Sequence, residues 1–331
     1  MQFRTPVEIP KAVFNIDHRS NLLFMGSCFS VNMGRQLQEL KINSSVNPFG
    51  VLYNPVSINN SLEILLKKKI FGKDDIQEYK GLWFSFFHHS SFSDTDPEKC
   101  LEKINSAIHE ASDHLKKTSV IFLTFGTAMV YDHIKSGMTV SNCHKLPATE
   151  FSHRMLNPEE IISDCNVLFK NLKTFNPDVR IVFSISPVRY VKDGLEISNY
   201  SKSILNVAIH ELIAQNDCCS YFPAYEIVMD DLRDYRFFDA DMVHPSRQAV
   251  DYILEKFAAC YFSEETIKIN EQVKKLIKAC NHRFLTNNKT EILGFLETQL
   301  AKAKFLYEKS MVNMQDEINY FEREIEFQAH K

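Results

Sequence analysis

Three apolar runs, each stopped by small residues, constrain this chain most. Leu22–Leu23–Phe24–Met25 ends in Gly26-Ser27-Cys28, Ser119 to Phe125 ends in Gly126-Thr127, and Arg180 to Ile185 ends in Ser186-Pro187. Each run is too short for an ordinary helix, and the last two are rich in β-branched and aromatic residues. That pattern reads as a strand buried on both faces. Ser44–Asn47 and Tyr221–Tyr225 read as two further short strands. Helical patterns lie between them, over Val31–Leu40, Ser57–Lys69, Pro97–Lys117, Asn157–Phe175, Asn199–Gln215 and Ser246–Phe262. In Ser57–Lys69, Ser57 is a plausible N-cap and Ile58, Leu62 and Leu65 form the apolar side. Strand–helix alternation requires right-handed crossovers and a parallel sheet covered on both faces. The expected fold is therefore α/β, a three-layer α/β/α sandwich on a five-stranded parallel flavodoxin-like sheet.

Two stretches resist this pattern. Residues 79–96 hold Tyr79, Trp83, Phe84, Phe86, Phe87, His88, His89 and Phe92 without a clean period, and read as an inserted strand pair or a loop over a pocket. Residues 128–156 are polar and aperiodic. After Phe262 no further strand is evident, which sets the expected division at 1–262 for the α/β domain and 263–331 for a helical extension. From Thr290 the chain reads as one long helix. Its apolar residues Leu296, Leu300, Ala303, Tyr307, Met311, Met314, Ile318, Phe321 and Ile325 follow a near-heptad spacing. A surface helix, a homodimer contact through this helix and a partner-binding helix all fit that seam.

Composition narrows the function classes. A net charge of -4 argues against a general nucleic-acid binder, which needs a basic face. The N-terminus has no apolar core after a basic start, so no secretory signal is expected. No stretch reaches the ~18 apolar residues of a membrane span. The eight cysteines form no C-x-x-C pair, which favours a reducing cytoplasm and argues against a zinc site. No metal or organic cofactor is expected.

Open α/β sheets bind ligands at the carboxyl ends of their strands, where Ser27 falls. A serine hydroxyl needs a base within hydrogen-bond reach. Asp241-Met242-Val243-His244 offers one: a carboxylate three residues before a histidine can hold its ring and leave the other nitrogen as base. Cys28 is an alternative nucleophile, although the turn is expected to point its side chain into the core. Trp83 as an aromatic platform, His88 and His89 toward substrate oxygens, and His144 with Lys145 toward an anion are candidate binding residues. Packing roles fit each of them as well. Arg189 and Arg236 suit either substrate binding or structural ion pairing.

Gly26-Ser27-Cys28-Phe29 and Asp241-x-x-His244-Pro245 resemble the first and last blocks of the GDSL/SGNH hydrolase superfamily. The chain is more closely similar to the GSCFA family, with Ser30 in place of the motif's final Ala. Asn47-Pro48-Phe49-Gly50, Phe125-Gly126-Thr127-Ala128, Asn142-Cys143-His144-Lys145, Ser186-Pro187-Val188-Arg189 and Arg233-Asp234-Tyr235-Arg236 extend the resemblance over about residues 1–262. It implies a serine esterase or acyl hydrolase with Ser27, His244 and Asp241 as triad. The amides of Ser27 and Gly50 would form the oxyanion hole. The family pattern's third-block Asn is absent here, leaving Thr127 or Asn142 to complete it. The implied substrate is a small-molecule or glycan ester. Acyl transfer to a glycan hydroxyl and a non-catalytic binding or scaffold role are the alternatives.

Overall fold

Gly26 ends the first strand with φ +140°, a conformation L side chains rarely adopt, and a Cβ there would sit 2.1 Å from the Thr124 carbonyl oxygen. The computed structural model describes residues 4–285 and 288–330. Its central strands are β1 (Asn21–Gly26), β2 (Asn43–Val46), β3 (Val120–Phe125), β4 (Arg180–Ile185) and β5 (Cys219–Tyr221). They form one five-stranded parallel sheet in the order β2-β1-β3-β4-β5. This is the flavodoxin-like order, so the expected fold class holds.

The sheet is flanked by α1 (Cys28–Glu39), α2 (Pro55–Lys67), α3 (Pro97–Leu115), α4 (Pro158–Phe175), α5 (Leu195–Gln215) and α6 (Arg247–Tyr261). Leu23, Met25, Ile121, Leu123 and Phe183 share one buried core with Ile58 of α2, Ile104 of α3, Leu168 of α4 and Leu205 of α5. Alternation along the strands puts Phe24 and Phe122 on the other face, where their rings stack at 4.6 Å. All six residues of β3 are buried, which accounts for its unbroken apolar sequence.

Local chemistry sets the element ends. Asn54, not Ser57, caps α2: its side chain accepts from the Ser57 amide, with Pro55 at the first helical position. Asn157 and Glu160 form a reciprocal capping box on α4. β5 lies earlier than Tyr221–Tyr225, because Pro223 ends it and residues 224–231 coil into helical turns. The aromatic stretch forms an antiparallel hairpin, Gln77–Tyr79 with Leu82–Phe84. Residues 128–156 are not aperiodic loop. Met129–His133 pairs with Met138–Val140 and with Phe151–Met155 in a three-stranded antiparallel sheet.

Contacts divide the chain into two units. One comprises Asn21–Gly34 and Ser44–Glu255 with the N-terminal segment up to Ile9. The other comprises Pro10–Ser20, Arg35–Asn43 and the chain from Lys256 onward. In the second unit lie α7 (Glu264–Cys280), α8 (Lys289–Lys309) and α9 (Gln315–His330). The single long helix expected from Thr290 is two helices, broken at Ser310–Met314, where Met311 takes φ 54°. Leu296, Ala303, Met314, Ile318 and Phe321 are buried there with Val273, Leu276 and Ile292. Much of the heptad-like seam is thus spent within the unit. Among the described residues no helix is long and apolar enough to cross a membrane.

Gly26→Ala should destabilise the protein by about 3 kcal/mol, since it combines a disfavoured φ with a backbone clash. Urea unfolding reads this as a lower midpoint with an unchanged slope, and a midpoint equal to wild type would refute the strand-end geometry.

Candidate active site

The carboxyl ends of β1, β3 and β4 deliver Ser27, Thr127 and Ser186 to one small cavity of about 40 Å³, which Cys28, Tyr53 and Arg189 also line. It lies between β1 and β3, where chain order reverses across the sheet and ligands of open α/β folds bind. The Asn47 side chain fixes the strand end. Its Oδ1 accepts from the Gly26 amide at 2.8 Å, and its Nδ2 donates to the Gly26 carbonyl at 3.1 Å.

From this fixed end the next two side chains diverge. Ser27 is buried, only 1% exposed. Its amide donates to Thr124 O at 3.2 Å and its Oγ donates to Ser186 Oγ at 2.9 Å, while the Phe29 amide donates to that Oγ at 3.3 Å. Cys28, the first residue of α1, does not point into the core as expected. It is half-buried and lines the cavity, because the chain enters the helix at this residue. Burial pushes its thiol up from the ordinary cysteine range. The Phe29 and Cys28 amides and the Lys202 ammonium pull it down, and the Asp241 carboxylate adds to the rise.

Lys202 went unnoticed in the sequence. It sits on α5 at 3% exposure and donates to the Gly126 and Ser186 carbonyl oxygens at 2.7 Å each. Burial pulls its ammonium down to about 7, and Arg189 adds to the fall. A signal was present: with Ser198, Ser201 and Leu205 it shares the buried side of the helix, where a lysine is out of place.

Asp241 and His244 meet as the spacing predicted, with His244 Nδ1 2.6 Å from Asp241 Oδ2. Asp241 Oδ1 also accepts from the Val243 and His244 amides at 2.9 Å each. These two amides and then the imidazole hold the carboxyl down at about 2. An ionised Asp241 requires the proton on Nδ1, which leaves Nε2 as the free nitrogen. The pair is exposed, at 45% for His244 and 50% for Asp241, and the ring is bonded to neither Ser27 nor Cys28. Beside it lies a groove of about 570 Å³, with Met242, Val243, Leu195, Met229 and Arg189 in its walls. Arg189 therefore belongs to both hollows. It donates to Asn199 Oδ1 at 3.3 Å, lies 5.3 Å from the Tyr225 ring centre, and pairs with no carboxylate among the described residues.

The GSCFA family profile matches residues 21–257. The chain belongs to the GSCFA family. The matched span runs from β1 into α6, so it holds every residue of this cavity and the Asp241–His244 pair, and excludes α7–α9. None of the curated proteins compared with the chain matches it.

Other residues of the GSCFA domain lie elsewhere. Gly50 donates its amide to Asn47 O at 2.7 Å and packs beneath His89, where a Cβ would come within 2.2 Å of the histidine's own. Thr127 lines the cavity, but its amide donates to Tyr53 O at 2.9 Å and its hydroxyl pairs with Ser201 at 3.0 Å. Asn142 accepts from the His144 amide at 2.8 Å in a loop outside the cavity. His144 stacks on Phe84 at 4.2 Å and contacts Ser85 O at 2.9 Å through Nε2. Lys145 is exposed beside it. Trp83 is half-buried in the hairpin and pairs its backbone with Asp94. His89 accepts from the Ser91 amide at 3.2 Å, and His88 is fully buried against Phe49 at 4.6 Å. None of these aromatic-stretch residues lines the cavity. Among the described residues no cluster of His, Cys, Asp or Glu is placed to hold a metal.

Burial pulls His88 down to about 3 and His144 to about 4, against an ordinary 6.5. Both stay neutral in the fold, whereas the unfolded chain takes up a proton at each as pH falls below 6.5. Their contribution is complete above pH 6.5 and is lost as pH falls toward 4. Each should add about 1.4 kcal/mol per pH unit to the slope of stability below that point. Urea unfolding between pH 7 and pH 4.5 measures the slope, and His88→Phe should flatten it by one proton's share.

Proposed function

We propose that the GSCFA domain is an acyl hydrolase of the GDSL/SGNH type, cleaving esters through an acyl-enzyme formed on the turn between β1 and α1. The observation that carries this reading is the 2.6 Å Asp241–His244 pair, in the same unit as a strand-end nucleophile turn. Asp241 within electrostatic reach of Cys28 supports it. In the cycle, His244 Nε2 takes the nucleophile's proton as the turn attacks the ester carbonyl. Asp241 stabilises the imidazolium that forms, and His244 returns the proton to the departing alkoxide. Water then releases the acid by the same route. The groove beside His244 suits the acyl chain, with Arg189 at the junction of groove and cavity.

The oxyanion assignments drawn from resemblance receive little support. The amides of Ser27, Gly50 and Thr127 already donate to the Thr124, Asn47 and Tyr53 carbonyl oxygens. At the start of α1 the Phe29 and Ser30 amides likewise donate, to Ser27 Oγ and Ser27 O. Trp83 and His89 stand apart from the cavity, so acyl transfer to a glycan held on the aromatic stretch gains nothing from this geometry. The unpaired cysteines suit a reducing compartment such as the cytoplasm.

Wild type should hydrolyse short-chain aryl esters, and His244→Ala should lower kcat/KM by about 10²–10⁴. Asp241→Asn should lose a comparable factor, because the amide presents the wrong partner to Nδ1. Circular dichroism should be unchanged for these exposed positions. Equal rates in all three proteins would overturn the reading.

A further inference from the structure

We propose that the acyl group is carried by the Cys28 thiol, beside the buried Lys202 ammonium, and that Ser27 positions the turn. This rests on the acyl-hydrolase reading and names its nucleophile.

Access separates the two candidates first. Both residues line the cavity, but Cys28 is half-buried whereas Ser27 is 1% exposed. Bonding separates them next. The Ser27 hydroxyl gives its hydrogen to Ser186 Oγ and receives the Phe29 amide, the work of a residue that ties β4 to the start of α1. An attack by Ser27 would break the bond to Ser186.

Charge is the third argument. Lys202 is fully buried, its Nζ donates to the neutral carbonyl oxygens of Gly126 and Ser186, and it pairs with no carboxylate among the described residues. A buried cation without a counter-charge is costly. The accepting carbonyls belong to Gly126 and Ser186, which line the cavity with Cys28, so a thiolate there would supply the missing negative charge. The charged and titratable groups that act on this thiol or lie beside it are known. Burial, the largest influence, favours the protonated thiol, Lys202 favours the thiolate, and Asp241 opposes it. Arg189 and Tyr53 line the same cavity. The Cys28 and Phe29 amides at the start of α1 add two donors toward the sulfur.

The chemistry balances without a further reactant. The Cys28 S–H proton passes to His244 Nε2 as sulfur bonds to the ester carbonyl carbon. The C–O bond to the alcohol breaks, and the alkoxide takes the proton from His244. Water then attacks the thioester carbonyl, giving its proton to His244. The C–S bond breaks, the carboxylic acid leaves and the thiol is restored.

The test uses the full chain, with an aryl acetate as the probe and intact-mass and peptide spectrometry as the readout. Wild type should gain one acetyl group that neutral hydroxylamine removes, as it removes thioesters and leaves alkyl esters. Cys28→Ala should lose the adduct and at least about 100-fold in rate, while Ser27→Ala should still acquire it. Cys28→Ser provides a near-isosteric control if the alanine variant fails to fold. A hydroxylamine-stable adduct that persists in Cys28→Ala would overturn the thiol assignment and leave acyl hydrolysis standing. A folded wild type that neither acylates nor turns over would overturn both.

Discussion

The two hydrogen bonds between the Asn47 side chain and the Gly26 peptide groups govern the geometry of the site. They hold the end of β1 where a parallel strand would otherwise run on. Gly26 can accept the resulting conformation because it has no side chain to meet the Thr124 carbonyl. With that peptide fixed, the following residues have no freedom in direction. Ser27 turns to Ser186 and Cys28 begins α1, and both line the cavity. Asn47 itself has φ 46°, a conformation asparagine tolerates better than most residues. The Asn47-Pro48-Phe49-Gly50 turn is therefore a buttress for the Ser27-Cys28 turn.

Behind the turn the electrostatics are set by a cation, not by a carboxylate. Lys202 joins the Gly126 carbonyl after β3 to the Ser186 carbonyl after β4. It thereby stitches two strand ends together at the point where the cavity opens. The bridge pays a desolvation cost that pulls the ammonium down to about 7, and Arg189 deepens it. An anionic group in the cavity would relieve both cations at once. That preference suits an oxyanion or a thiolate.

The parts of the molecule written in local chemistry were legible in the sequence. Buried strands such as Val120–Phe125 announce themselves through unbroken apolar runs, and the Asn157-Pro158-Glu159-Glu160 start of α4 through its capping residues. Asp241 and His244 were legible because an i, i+3 turn brings them together without help from the fold. Other features depend on partners distant in sequence. The antiparallel strand Phe151–Met155 is mostly exposed and carries charge, so its pairing with Met129–His133 leaves no apolar period. The break at Ser310–Met314 falls inside a seam whose spacing alone describes one helix. The setting of Ser27 and Cys28 at the cavity depends on Asn47, Ser186 and Lys202, none of which is a near neighbour in sequence.

The Ser27-Cys28 turn and the Asp241–His244 pair are built on different principles, which bears on how they would work together in the proposed hydrolase. The turn is held by long-range contacts from three strand ends, so its position is as rigid as the sheet. The base is held by its own loop. Asp241 accepts from the Val243 and His244 amides and from the His244 ring, and the loop closes through the Asp239 amide donating to His244 O at 2.8 Å. The ring orientation that acid–base catalysis requires is thus encoded within six residues and survives displacement of the loop as a body. Exposure of the pair then carries no penalty in preorganisation, because the angle between carboxylate and imidazole does not depend on burial. Only the separation between base and nucleophile is left to the surrounding groove. In the proposed hydrolase, binding energy from an acyl chain against Met242 and Val243, in that groove's wall, would act on the loop that carries Asp241 and His244.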